Sequence, residues 1–60
     1  MNQPTPEEML KDLVYEADIE TLRESTARFV RSLDADKKRR GFLTGDQISA
    51  LKKVYNEVFR

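Results

Sequence analysis

Apolar positions along this chain fall into three runs, each with helical spacing. In the last run, Ile48, Leu51, Val54, Tyr55, Val58 and Phe59 fall on one side of a helix at about 100° per residue. Thr44 stands before it as N-cap, Gln47 completes a capping box, and Leu43 and Ile48 are spaced as a hydrophobic staple. The pattern predicts a helix over 44–60. In the first run, Met9, Leu10, Leu13, Val14 and Ala17 form a stripe. Thr5 caps it, Pro6 suits the first helical position, Glu8 closes a second capping box, and Glu7 and Glu8 suit the positive end of the helix dipole. This run predicts a helix over 5–17.

The middle run conflicts with the first. Ile19, Leu22, Thr26, Phe29, Val30 and Leu33 also make a helical face, but on one straight helix it would lie roughly opposite the first stripe. A break near Ala17–Asp18, with Asp18 as N-cap of a helix over 18–35, resolves the conflict. The competing arrangement is one long helix in a helical hairpin that dimerises into a four-helix bundle. The expected fold is all-α, a small three-helix bundle in a single helical domain over 5–60, behind a disordered lead over 1–4. The expected core is Leu10, Leu13, Val14, Ala17, Leu22, Phe29, Val30, Leu33, Leu43, Ile48, Leu51, Tyr55 and Val58. Asp34 to Phe42 reads as the second connection, with Gly41 as breaker and Phe42 and Leu43 returning to the core. It is too long for the tight turn of a helix-turn-helix DNA reader. Tyr55 and Phe59, at helical spacing, read as core.

Composition narrows the chemistry. With 60 residues the chain is one small domain, and with only two glycines and two prolines it has few helix breakers. No cysteine or histidine occurs, which removes disulfides, thiolate nucleophiles, zinc-thiolate sites and the commonest general base. A bundle this small has little room for a water-excluding pocket, so no enzyme activity and no cofactor are expected. Asp34-Ala35-Asp36 ahead of Gly41 suggests a calcium loop, but counting from Asp34 the fifth position is Lys38, the eighth is Gly41 and the twelfth is Gly45. An EF-hand needs an oxygen ligand, a glycine at the sixth position and a glutamate there instead, so no metal is expected. No apolar run nears the ~20 residues of a membrane span, and no signal-peptide pattern opens the chain. No membrane partner is expected, and the expected location is cytoplasmic.

Charge is balanced overall but not along the chain. Residues 1–20 carry six acids against Lys11, a net of −5; residues 21–60 carry ten cations against five acids, a net of +5. Two candidate surfaces follow. The first is an acidic face on the first helix, Glu8, Asp12, Tyr15 and Glu16, with Tyr15 as an exposed contact for a partner protein with a basic surface. The alternative is nucleic-acid binding through the basic run Lys37-Lys38-Arg39-Arg40, extended by Lys53, whose cations would displace counterions from phosphates. No aromatic residue alternates with these cations to stack bases, and dedicated nucleic-acid binders carry a basic excess that this chain lacks. A solvated loop is the plainer reading of that run. Self-association is a further expectation, because a small core leaves apolar side chains at helix edges.

The segment Phe29-Val30, Leu33, a basic stretch, then Leu43-Thr44, Gln47, Leu51 and Tyr55 resembles a two-helix pattern in small uncharacterised bacteriophage proteins. It covers residues 29–55 and leaves the acidic first helix outside. The resemblance implies a phage-encoded accessory protein, an inhibitor or adaptor of a host protein or an aid to nucleic-acid metabolism, at work in the host cell. It implies no catalytic residue.

Overall fold

The computed structural model describes residues 4–59. The first helix, α1, spans Pro6–Asp18. It starts as the capping pattern requires: the Glu8 amide donates to Thr5 Oγ1 at 3.2 Å, and the Thr5 amide donates to Glu8 Oε1 at 3.0 Å. The third helix, α3, spans Gly45–Val58 and repeats the device, with Gln47 N to Thr44 Oγ1 at 3.2 Å and Thr44 N to Gln47 Oε1 at 2.9 Å. The Gln47 amide nitrogen also donates to Asp36 Oδ2 at 2.9 Å, which ties the start of α3 to the helix before it.

That helix, α2, spans Glu24–Arg40 and departs most from expectation at both ends. Asp18 does not cap it. Asp18 is the last residue of α1, and the chain turns through residues 19–23. The Glu20 amide donates to Ala17 O and the Thr21 amide to Glu16 O, both at 3.1 Å. Glu20 sits between them at φ 61°. These two bonds and the left-handed residue make a Schellman motif, the usual close of a helix, normally built on glycine. The Thr21 hydroxyl reinforces it by donating to Glu16 O and Glu16 Oε1. Five residues are therefore consumed before α2 begins, and its N-cap, Arg23, makes no side-chain cap bond.

At its other end α2 runs beyond the expected limit of residue 35 to Arg40, so the basic run is the last helical turn and not a loop. Gly41, at φ 86°, closes it by donating its amide to Lys37 O. The apolar stripe stops at Leu33, but polar terms carry the helix on. Lys38 pairs with Asp34 at 3.1 Å and Arg39 with Asp36 at 2.8 Å, and four cations suit the negative end of the helix dipole. α3 ends at Val58 rather than 60; Arg60 lies outside the described residues, as do residues 1–3 of the expected lead.

All three helices touch one another. The start of α3 lies by the start of α1, since Ile48 and Pro6 line one depression, and its end lies by the turn, where Val58 and Leu22 line another. The path is therefore up, down, up. Met9, Leu10, Leu13, Val30, Leu33 and Leu51 form the buried core, with Val14, Leu22, Phe29, Leu43, Val54, Tyr55 and Val58 packed around it. Ala17 is also buried. Two aromatic assignments are corrected. Phe42 is 59% exposed and does not return to the core, because it follows the left-handed Gly41 at the tip of the connection. Phe59 is 44% exposed; it lies past the end of α3 and packs its ring on Tyr55, centroids 4.6 Å apart. Ile48 is half-buried outside the central cluster.

Glu20→Gly should stabilise the fold by about 1 kcal/mol, since glycine adopts the left-handed region without the Cβ penalty. Thermal unfolding should show this as a midpoint ~4–8 °C higher. Leu51→Ala, in a fully enclosed position, should cost about 2–5 kcal/mol, enough to abolish the cooperative transition in so small a domain.

Candidate protein-binding surface

Four large apolar side chains are exposed among the described residues: Tyr15, Ile19, Phe42 and Phe59. Tyr15 is 62% exposed and Ile19 is 48% exposed. Tyr15 lies on α1 and Ile19 is its C-cap, one turn on, with its amide donating to Tyr15 O, so the two share a face. Glu8 and Asp12 precede them at spacings that place all four on one outer strip, on the side away from Leu10, Leu13 and Ala17. Glu16 flanks the strip, half-buried, and Asp18 and Glu20 lie exposed at its end. Ile19 belonged by sequence to the core stripe of the second helix. The continuation of α1 to Asp18 makes it a surface residue, and the spacing 8, 12, 15, 19 is the signal that would have found it.

The acids of this strip also hold the fold. Glu8 accepts from the Thr5 amide, and that bond, with the Thr5 hydroxyl, holds its carboxyl below the ordinary value of 4.5. Asp12 faces the Tyr55 hydroxyl of α3. Partial burial raises the Tyr55 pKa, and the charge and hydrogen bond of Asp12 and the charge of Glu8 raise it further. Glu16 accepts from the Thr21 hydroxyl at 2.9 Å. Each of these three carboxylates thus has an internal partner that fixes its place on the strip.

No family model, curated protein or solved structure matches this chain. Its surface alone must indicate its use. The basic candidate set is dispersed by comparison. Lys37, Lys38, Arg39 and Arg40 follow one another at about 100° around α2, so they point in different directions. Lys38 and Arg39 are paired with Asp34 and Asp36. Lys53 is exposed on another helix, α3. Among the described residues no group of His, Cys, Asp or Glu is arranged to hold a metal ion, and no helix is long and apolar enough to cross a membrane.

Two pH effects follow. Glu8 has a lowered folded-state pKa, so its share of stability is present above 4.5 and lost as the pH falls through the folded value. The melting temperature should drop in that acid range, and Glu8→Gln, which keeps an acceptor for the cap, should flatten the drop. Tyr55 behaves oppositely: its contribution is present below its ordinary value of 10.0 and lost as the pH rises past it. In a Tyr15→Phe background, Asp12→Asn should move the Tyr55 titration, followed by tyrosinate absorbance, downward toward 10.0.

Proposed function

We propose that this protein is a small non-enzymatic protein-binding module, a phage-type inhibitor or adaptor that sets the outer strip of α1 against a basic surface of a host protein. The observation that carries the reading is the pair Tyr15 and Ile19, two large apolar side chains exposed amid Glu8, Asp12, Glu16, Asp18 and Glu20. An aromatic anchor with an aliphatic neighbour, ringed by charge of one sign, has the make-up of an interface hot spot with its rim. The acids would steer a basic partner and set register, while Tyr15 and Ile19 would supply most of the affinity.

A synthetic amphipathic helix of lysine and leucine serves as the probe. Titrated into the labelled protein, it should shift the amide resonances of Glu8, Asp12, Tyr15, Glu16 and Ile19. Affinity should fall at least ~10-fold for Tyr15→Ala, by more than about 1.4 kcal/mol, and should weaken with added salt. Absence of binding, or shifts confined to other faces, would refute the reading. A parallel titration with a short DNA duplex that moved the amides of Lys37 to Arg40, with steep salt dependence, would favour the nucleic-acid alternative instead.

A further inference from the structure

A second exposed apolar feature lies at the opposite end of the bundle from Ile19. Where α1 starts and α2 passes into α3, Pro6, Phe42, Leu43 and Ile48 line an open groove of about 470 Å³, within the range of ~300–1,000 Å³ common for binding clefts. Phe42 stands at its edge, held outward by the turn at Gly41. Lys37 lines the same groove, and Arg40 lies exposed one turn further along α2. Neither has a carboxylate within ion-pair distance among the described residues, unlike Lys38 and Arg39 between them. Glu7 is the one acid in the lining.

The charge segregation of the sequence survives folding. The acidic segment 1–20 and the basic segment 21–60 meet in one ion pair among the described residues, Asp18 with Arg31 at 3.7 Å, and that pair is largely solvated. The other pairs, Glu24–Arg28, Asp34–Lys38 and Asp36–Arg39, lie within α2. Opposite charges left unneutralised within one copy are available to neutralise between copies, and a net charge of zero removes the repulsion that would oppose it.

We propose that the groove receives the α1 strip of a second copy of this chain, with Tyr15 and Ile19 against Phe42, Leu43 and Ile48, and with Asp12 and Glu16 facing Lys37 and Arg40. The proposal rests on the strip being a protein-binding face. Strip and groove are different surfaces, so the contact is heterologous: each pairing leaves one strip and one groove unused, and assembly continues with concentration. Self-assembly then masks the strip, and a basic partner and a second copy compete for it by mass action.

The test is molar mass by light scattering over a range of protein and salt concentrations. The wild-type chain should grow in mean mass with concentration and return to monomer at high salt. Tyr15→Lys destroys the strip and keeps the groove; Phe42→Glu does the reverse. Both positions are solvent-exposed, and circular dichroism verifies that each variant remains helical. Alone, each should stay monomeric at concentrations where the wild type associates. Mixed, they should form a one-to-one dimer and nothing larger, because one intact strip meets one intact groove. A mixture that stays monomeric, or a salt-resistant dimer that survives either substitution, would overturn the proposal. So would a wild-type chain monomeric throughout; that result would leave the strip's binding of the lysine–leucine helix standing, since that titration reads the strip directly. If the wild type associates but the helix does not bind, and Phe42→Glu alone dissolves the assembly, association runs through the groove without the strip and both readings fall.

Discussion

Residues 9–17 and 22–33 carry apolar stripes that one straight helix would hold on opposite sides, and the bundle exists because the chain reverses between them. That reversal depends on Glu20 adopting φ 61°, a conformation that costs a residue with a Cβ roughly 1–2 kcal/mol. Two backbone hydrogen bonds from Glu20 and Thr21 and the Thr21 hydroxyl on Glu16 offset that cost locally. The larger compensation is tertiary. Once the chain turns, Leu10, Leu13, Val30 and Leu33 face one another and Leu51 closes over them. Without the turn, one stripe or the other would stay in water.

The same reversal determines where charge and apolar surface appear. It extends α1 to Asp18, which turns Ile19 outward beside Tyr15. It sets the start of α1, with Glu7 and Glu8, beside the end of α2, with its four cations. Opposed helix ends of this kind each carry side chains of the sign that suits their dipole. Because most ion pairs form within α2, the acidic face of α1 starts at Glu8, close to the basic end of α2, and runs from there toward the turn at the other end of the bundle. Tyr15 and Ile19 lie among the acids, and Phe42 lies beside the cations at the end of α2.

Much of this was legible in residue order. Both capping boxes form on the residues that their pattern names, because a cap is a contact between positions three apart and needs nothing from the rest of the chain. The stripe that includes Leu51 and Tyr55 and the stripe around Leu13 turn inward for a similar reason: periodicity alone brings them to one side. The ends of α2 were harder to read. Its start depends on a non-glycine residue in the left-handed region, which sequence gives little reason to expect. Its finish depends on Asp34–Lys38 and Asp36–Arg39 pairs that prolong a helix after its apolar stripe has ended.

The sequence by itself determined three amphipathic helices, two of their starts, and most of the core, since spacing, capping and hydrophobicity act over a few residues. Tertiary structure decided which of the remaining apolar residues stay outside. Phe42 and Phe59 are as hydrophobic as the residues of the core, but each lies just past a helix end and stays exposed, and Ile19 faces out because α1 runs up to it and carries it round beside Tyr15. Tertiary packing also brought Asp12 to Tyr55 and Asp36 to Gln47, contacts between residues far apart in sequence that only the approach of the helices could create.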